Sequence, residues 1–390
     1  MRDAGVTMCG IIGMLNKDGR RVNGSMIKNG LSRMNERGNG QGAGYAAYGI
    51  YPEFAEDYAL HVFLDNMKEA KFSVEKEIER WGYIVHAEEI PVDDRKVEVS
   101  HIPYRYFFKP DPEKLLGRKI DEKDAILKMV MDINASRSGA LVFSSGKNMG
   151  IFKASAWPEE VGNFYMVNKY KGYLWLGHNR YPTNTPGWWG GAHPFGLLDW
   201  SVVHNGEITS YGTNMRYVES FGYSCTMLTD TEVVTYLFDL LVRKHRLSTE
   251  MAGHALAPRF WDDIDRMAPN ERDVYTALRL AYASASMNGP FAIVVGNTGG
   301  FVALTDRIKL RPLVAARSGS RLMVASEESA IHTVLTAPDE VWAPKAGEPV
   351  IARVEGMELP FHSQLHASPA EISCAVTAAD ACHELEEVAV

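Results

Sequence analysis

The sequence contains few cysteines, and they are far apart in the chain. Cys9, Cys225, Cys374 and Cys382 are its four cysteines, and no two of them have the spacing of a zinc or iron–sulfur motif. This pattern favours free thiols in a reducing compartment over a disulfide framework. We therefore expect neither disulfide bonds nor a metal site in this chain.

Long apolar runs and secretory signals are also missing. Apolar runs such as residues 292–295 have the length of a strand, far below the ~20 residues of a membrane span. The first residues, MRDAGVTM, lack both the charged start and the apolar stretch of a signal peptide. These absences predict a cytoplasmic protein that does not bind membranes.

Basic residues do not cluster anywhere in the chain. Lysine and arginine number 41 against 49 aspartates and glutamates, which gives a net charge of −8. A chain of this charge is not expected to bind nucleic acid. The apolar fraction of 46% and the charged fraction of 23% are typical of a globular protein with a substantial core. Self-association into a homo-oligomer is compatible with this composition.

Helical spacing and strand-like alternation occupy separate runs of the sequence. Residues 66–81 and 122–134 have apolar positions at helical spacing, whereas residues 8–15, 291–296 and 300–306 resemble strands. This order favours sheets stacked between helical layers over strict alternation of strand and helix. The glycine-rich string GNGQGAG precedes an alternating strand and not a helix, which argues against a phosphate-binding loop.

Chemically useful side chains follow or precede several of these strands. Cys9 stands at the head of the first apolar run, where a buried, inert thiol would be the ordinary interpretation. Arg180 lies in a turn-rich loop after a strand, and Asn205 and Gly206 end another strand. Asp230 lies in the N-cap region of a predicted helix. Together these positions favour a reactive Cys9 over an inert buried thiol.

Five short segments occur in a characteristic order: MCGI, RYPTNT, AHPF, HNGEI and TDTE. This combination resembles the class II glutamine amidotransferases, the N-terminal-nucleophile glutaminases. It is most similar to the glutaminase domain of glutamate synthase and its stand-alone single-chain relatives, and WGYIVHAEEIPVDD, RPL and ASE extend the similarity over roughly residues 8–355. The resemblance implies an α+β fold, a four-layer αββα sandwich of the N-terminal-nucleophile hydrolase type.

The resemblance also assigns roles to particular residues. Cys9 would attack the side-chain amide carbon of glutamine, and a thioester would form and be hydrolysed. Asn205 and Gly206 would stabilise the oxyanion, although an Asn-Gly pair alone is typical of a two-residue hairpin turn. Arg180 and Thr183 would bind the α-carboxylate of the substrate, whereas an arginine more commonly forms a surface ion pair.

The remaining assignments concern the α-ammonium group of the substrate, other substrate contacts and a loop that would shield the site. Asp230 would accept hydrogen bonds from the α-ammonium group, with an ordinary helix cap as the alternative. His193 and His204 are further candidates for substrate contact, and purely structural histidines are the alternative. Trp188 and Trp189 resemble either a mobile loop that shields the thioester or a partner-facing patch.

The resemblance divides the chain into three parts. Residues 1–8 would be a leader or a mis-assigned start, because the α-amine of Cys9 can accept a proton only if Cys9 becomes the first residue. Residues 9–360 would form the amidotransferase domain, with an insertion at about 50–150. Residues 361–390 would be a peripheral or docking tail.

The function implied by the resemblance is that of a glutaminase subunit. It would hydrolyse L-glutamine to glutamate and ammonia, and it would pass the ammonia to a separate glutamate-synthase-like subunit. A flavin and an iron–sulfur cluster are expected on that partner, and no cofactor is expected in this chain. Two alternatives remain open: an N-terminal-nucleophile hydrolase of another small amide, and a catalytically blocked glutamine-sensing or scaffold subunit.

Overall fold

The computed structural model describes residues 8–182 and 187–357. The strands within these ranges are β1 (Gly10–Asn16), β2 (Val22–Asn23), β3 (Ala43–Tyr48), β4 (Tyr58–Leu64), β5 (Gly82–Glu89), β6 (Ile102–Pro110), β7 (Ala140–Ser144), β8 (Met149–Ala154), β9 (Lys171–Gly172), β10 (Leu174–Asn179), β11 (Phe195–Leu197), β12 (Trp200–Gly206), β13 (Phe291–Asn297), β14 (Gly300–Thr305), β15 (Val314–Ser318), β16 (Arg321–Ala325), β17 (Glu340–Trp342) and β18 (Val350–Arg353). The helices are α1 (Ser25–Ser32), α2 (Glu69–Trp81), α3 (Pro112–Arg118), α4 (Glu122–Ala135), α5 (Pro158–Phe164), α6 (Tyr211–Ser220), α7 (Asp230–Phe238), α8 (Thr249–Leu256), α9 (Trp261–Asp265), α10 (Pro269–Ala281) and α11 (Glu328–Val334). Short 3₁₀ turns occupy Asn35–Arg37, Pro52–Phe54 and Val167–Lys169, and a π-helical segment, Asp239–Lys244, continues α7.

Two sheets pack face to face at the centre of the molecule. The larger sheet has the strand order β17-β15-β16-β1-β10-β3-β8, and the smaller sheet has the order β11-β12-β13-β14-β18. β1 and β10 contact β12 and β13 across the interface. Helices α1, α5 and α11 pack on the larger sheet, and α7 and α8 pack on the smaller one. This arrangement is a four-layer αββα sandwich, and it confirms the α+β fold class.

Alternation along β1 sends successive side chains to the two faces of the larger sheet. Ile12 points toward α1, where its Cδ1 lies 2.8 Å from the position a Cβ would take at Gly30. Gly13 faces the smaller sheet, and a Cβ there would lie 3.1 Å from Cγ1 of Val294. The missing side chain at Gly13 therefore lets the two sheets approach closely.

A third sheet, of order β5-β6-β4-β7, carries helices α2 and α4. Its strands β4 and β7 contact β8, and β7 also contacts β11. The third sheet therefore lies against one edge of each sandwich sheet. Its strands lie between Tyr58 and Ser144, within the segment of about residues 50–150 that the sequence suggests as an insertion. The assignment of residues 9–360 as one domain with an insertion stays a prediction.

The ends of the chain are only partly within the described residues. Of the predicted leader, only Met8 is described, and the predicted tail at 361–390 lies outside. Both assignments therefore stay predictions. Cys9 and Cys225 are free thiols in the described part. In that part of the chain, every helix is too short or too polar to span a membrane.

Candidate active site

The ends of three strands bring the predicted residues together. β1 runs antiparallel to β10, with Gly10 opposite Asn179. Because Cys9 directly precedes β1 and Arg180 directly follows β10, the register places both residues beyond the same end of these two neighbouring strands. Gly206, the last residue of β12, reaches the same strand ends from the facing sheet.

A cavity of about 350 Å³ opens at these strand ends. Its volume lies within the range of ~300–1,000 Å³ that is typical of small-molecule sites. The predicted site residues in its wall are Cys9, Arg180, His193, His204, Gly206 and Asp230. Asn205 is buried next to Gly206 on β12, and Thr183 lies outside the described residues.

The thiol of Cys9 is held by the backbone that follows β10. Tyr181 donates its N–H to Sγ of Cys9 at 3.2 Å, and Arg37 donates Nε–H to the carbonyl oxygen of Cys9 at 3.0 Å. Burial raises the pKa of the thiol, although the Tyr181 N–H and the charge of Arg180 act in the opposite direction. The resting group is therefore the protonated thiol, and a nucleophilic role requires a proton acceptor.

Arg180 is only 3% exposed and lines the cavity, so the interpretation as a surface ion pair is wrong. Its N–H donates to the Gly42 carbonyl at 2.8 Å, and its carbonyl accepts from the Asn39 N–H at 3.3 Å. The glycine-rich string GNGQGAG therefore fixes the backbone of Arg180. Burial lowers the pKa of the guanidinium, which nevertheless stays charged because arginine normally titrates above ~12.

Asp230 is the first helical residue of α7, and Thr229 is the N-cap. The interpretation of Asp230 as the cap is therefore wrong. Its Oδ2 accepts the N–H of Ile208 at 3.0 Å, and its Oδ1 lies 3.5 Å from Nδ1 of His204. Burial acts to raise the pKa of this carboxyl, but His204 and the hydrogen bonds hold the pKa below its usual range. The cavity wall thus contains an ionised carboxylate as well as a guanidinium.

The two predicted histidines converge on one hydroxyl. Oγ1 of Thr231 lies 2.8 Å from Nε2 of His193 and 3.1 Å from Nδ1 of His204. The ring of His193 stacks on that of His178 with 4.0 Å between centroids, and Nε2 of His178 lies 2.8 Å from the His204 carbonyl. Burial keeps the pKa of His193 well below its usual range. Both histidines line the cavity, and their contact with a substrate stays a prediction.

The pair Asn205 and Gly206 is not a hairpin turn, because the chain continues from β12 into α6. Gly206 has a φ of 136°, and a Cβ there would lie 1.9 Å from the carbonyl oxygen of Pro290. Nδ2 of Asn205 lies 3.5 Å from Oγ of Ser326. Oδ1 of Asn205 makes no hydrogen bond within residues 8–182 and 187–357. The structure therefore requires glycine at 206 and leaves the Asn205 amide only weakly bonded.

The cavity wall contains further residues to which the sequence analysis gives no role. They are Tyr181, Pro182, Glu207, Ile208, Tyr211, Leu228 and Thr229. All except Tyr211 fall inside or directly beside the motifs RYPTNT, HNGEI and TDTE. Leu228 is 70% exposed and has a φ of 55°, which is rare for a bulky residue. The motifs therefore marked the region, but not which of its side chains reach the cavity.

The tryptophan pair divides between core and surface. Trp189 is 3% exposed, and its ring lies 5.3 Å from that of Phe63 and 5.6 Å from that of Phe164. Trp188 is 37% exposed. The interpretation of the pair as a mobile loop or a partner-facing patch is therefore wrong for Trp189, which belongs to the core.

Comparison with known proteins adds a family and several relatives. Residues 122–342 match the family described as "Glutamine amidotransferases class-II". An uncharacterised protein of Archaeoglobus fulgidus is 49% identical over 360 residues, which are 92% of this chain and 95% of the relative. A Methanothermobacter thermautotrophicus protein, provisionally named a glutamine amidotransferase, is 28% identical over 84% of this chain and 94% of its own. The glutamate synthase [NADPH] large chain of Bacillus subtilis is 28% identical over 185 residues, which are 42% of this chain and 12% of that protein.

Proposed function

The chain belongs to the class-II glutamine amidotransferases, and on this premise we propose that it hydrolyses L-glutamine to glutamate and ammonia in the cavity beside Cys9. The observation that carries the proposal is the composition of one cavity wall, which contains a thiol, a buried guanidinium and an ionised carboxylate. Free glutamine has an electrophilic amide carbon, a carboxylate and an ammonium group. Each of the three protein groups has its chemical counterpart on this substrate.

Arg180 and Asp230 would recognise the two charged groups of the amino acid. A planar guanidinium can donate two parallel hydrogen bonds to a carboxylate, and its position in the cavity wall suits it to the α-carboxylate. The Asp230 carboxylate would accept from the α-ammonium. We assign Thr183 to the carboxylate contact as well. Recognition of both groups favours a free α-amino acid over other small amides.

Cys9 would supply the nucleophile. Its thiol proton would pass to a base while Sγ bonds to the amide carbon; the C–N bond would then break, and ammonia would leave with the transferred proton. Water would next attack the thioester and release glutamate. We propose that the base is the α-amine of Cys9, exposed after removal of residues 1–8. An α-amine titrates at a pKa of ~7.7–8.0, which suits proton transfer near neutral pH.

Asn205 and Gly206 would stabilise the negative charge that develops on the amide oxygen. The weakly bonded Asn205 side chain, 3.5 Å from Ser326, can donate Nδ2–H to that oxygen. The backbone N–H of Gly206 would be the second donor. Removing one such donor typically costs ~3–4 kcal/mol of transition-state stabilisation.

The released ammonia would pass to a separate glutamate-synthase-like subunit that carries a flavin and an iron–sulfur cluster. Partial similarity to the glutamate synthase large chain supports this proposal. Ammonia in water near neutral pH is mostly protonated and not nucleophilic, so direct transfer would preserve its reactivity. Co-purification of the tagged chain, followed by a turnover assay with 2-oxo acids, would test this partner. Glutamine turnover that no 2-oxo acid stimulates would contradict it.

The central experiment compares the wild type with Cys9→Ala in an assay of glutamate release from glutamine. We expect Cys9→Ala to abolish turnover and to keep the circular dichroism spectrum of the wild type. Cys225→Ala is the matched control, because Cys225 is a free thiol outside the cavity wall, and its activity should not change. Residual wild-type turnover in Cys9→Ala would refute the nucleophile assignment.

The same preparation separates the alternatives. Intact-mass analysis should show a chain that begins at Cys9, and a chain that keeps Met1 would contradict the α-amine mechanism. A glutamine analogue without the α-amino group should be a poor substrate, whereas equal turnover would favour a hydrolase of other amides. Glutamine binding without turnover would favour the sensing role.

A further inference from the structure

The hydroxyl of Thr231 lies at the centre of the polar network behind the cavity. Its Oγ1 is 2.8 Å from Nε2 of His193, 3.1 Å from Nδ1 of His204 and 3.3 Å from Oδ1 of Asp230. Thr231 is fully buried on α7, so water does not compete for these bonds. The hydroxyl has one proton and two lone pairs, which are enough for these three partners.

Counting protons determines the direction of each bond. Because the Asp230 carboxylate can only accept, the Thr231 hydroxyl proton is directed to Oδ1. The two lone pairs of the hydroxyl oxygen are then filled by N–H groups of the imidazoles. This requires a proton on Nε2 of His193 and a proton on Nδ1 of His204. The 3.5 Å approach of the latter nitrogen to Oδ1 of Asp230 favours the same tautomer.

The second ring nitrogen of each histidine takes no part in these bonds to Thr231. Nδ1 of His193 and Nε2 of His204 are buried, and neither makes a hydrogen bond within residues 8–182 and 187–357. Both histidines line the cavity. Burial lowers the pKa of His193 well below its usual range, so its ring is neutral and Nδ1 carries a lone pair. The plane of that ring is fixed by the stacked ring of His178.

We propose that Thr231 is a positioning residue that sets the tautomers of His193 and His204, so that Nδ1 of His193 accepts a hydrogen bond from an N–H group of the ligand. The proposal rests on the proposed function for the identity of that ligand: glutamine offers an α-ammonium and a carboxamide NH₂. It assigns no proton transfer to Thr231 itself. The tautomers are a property of the free protein and can be measured without turnover.

The first test is long-range ¹H–¹⁵N NMR of the full chain labelled with ¹⁵N-histidine. His193→Gln and His204→Gln identify the two ring signals by their loss. We expect the wild type to show Nε2–H for His193 and Nδ1–H for His204. Protonation of His193 on Nδ1 would overturn the inference, whatever the enzyme activity is.

The second test removes the hydroxyl without changing the size of the side chain. Thr231→Val should disturb both tautomers and lower kcat/KM for glutamine by roughly 10- to 100-fold. Thr231→Ser keeps the hydroxyl and should restore both the tautomers and most of kcat/KM. Thr235→Val is the matched control: Thr235 is one turn further along α7, and its hydroxyl donates to the Thr231 carbonyl at 2.9 Å.

The outcomes separate this inference from the proposed function. An inactive wild type with the expected tautomers would refute the glutaminase proposal and support the role of Thr231 in setting the tautomers. An active wild type whose tautomers and kcat/KM survive in Thr231→Val would refute the role of Thr231. Equal losses in Thr231→Val and Thr231→Ser would show that the methyl group matters and the hydroxyl does not, which also overturns the inference.

Discussion

At the scale of single residues, burial sets the chemistry of the groups around the cavity. The Cys9 thiol has a raised pKa, so attack on an amide needs a base and does not follow from a preformed thiolate. Arg180 stays charged although it is almost fully buried, and its backbone is fixed by Gly42 and Asn39. A buried, positioned guanidinium differs from a lysine ammonium mainly in its planar fork of donors.

Replacing Arg180 by lysine should therefore weaken glutamine binding. An ammonium keeps the charge but cannot form two parallel hydrogen bonds, so we expect KM to rise roughly 10- to 100-fold with a smaller change in kcat. Steady-state kinetics measure both constants. Arg33→Lys is the control, because Arg33 is exposed and outside the cavity wall. An unchanged KM in Arg180→Lys would rule out the carboxylate role.

At the scale of elements, contacts with residues from another part of the chain impose the conformation at the end of β12. Gly206 pairs with Phe291 on β13, and its positive φ places the missing Cβ against the Pro290 carbonyl. The next N–H, that of Glu207, donates to the same carbonyl at 3.0 Å. β12 can therefore end at the cavity only because residue 206 has no side chain.

Gly206→Ala should therefore destabilise the protein and abolish activity. A Cβ at 1.9 Å from a backbone oxygen forces the strand end to move, which we expect to lower the free energy of unfolding by roughly 1–3 kcal/mol. Urea denaturation measures the change. Gly212→Ala, in α6, is the control: its added Cβ would lie 3.5 Å from the nearest atom, a side-chain nitrogen of Arg216. It should be neutral or stabilise by up to ~1 kcal/mol. Similar stability losses in the two variants would contradict this account.

At the scale of the whole molecule, Lys153 lies where the three sheets meet. It is on β8, at the edge of the larger sheet, and it is 1% exposed. Its Nζ donates to the Gly190 carbonyl at 2.8 Å and lies 4.5 Å from the ring centre of Phe195 on β11 and 5.7 Å from that of Phe143 on β7. Burial, assisted by the charge of Arg180, lowers the pKa of Lys153 to about 7.

This lysine should give the stability of the protein a distinct pH dependence. Its pKa is about 7 in the folded chain and ~10.4 in the unfolded chain. Between these values the unfolded chain binds the additional proton, so stability increases with pH. We expect the wild type to gain about 1.4 kcal/mol per pH unit relative to Lys153→Met in this window, and no relative change below pH ~7.

Urea denaturation of both proteins at several pH values measures this difference. Lys171→Met is the control, because Lys171 is exposed, and its difference from the wild type should not vary with pH in the same window. A pH-independent difference between the wild type and Lys153→Met would show that the amine is not buried as a titrating group.

The strongly patterned elements could be predicted from the sequence, and the weakly patterned ones could not. The strands at 291–296 and 300–306 and the helix at 122–134 agree closely with β13, β14 and α4. The helix predicted to begin near Asp230 consists of α7 and a π-helical segment that continues it. There Asp239 is buried and accepts from Arg243 and from the Tyr223 hydroxyl. Helix α6 buries only Asn214 and Val218, so its sequence has almost no apolar periodicity from which a helix could be predicted.

The sequence by itself determined the family and the residue types of the site, because short motifs keep their order along the chain whatever lies between them. Only the tertiary structure decided which side chains share a cavity. The antiparallel register of β1 and β10 places Cys9 beside Arg180, and the facing sheet adds Gly206. The sharing of the Thr231 hydroxyl by His193 and His204 also depends on contacts between α7 and the sandwich. Such contacts depend on distances between residues far apart in sequence, which local patterns do not encode.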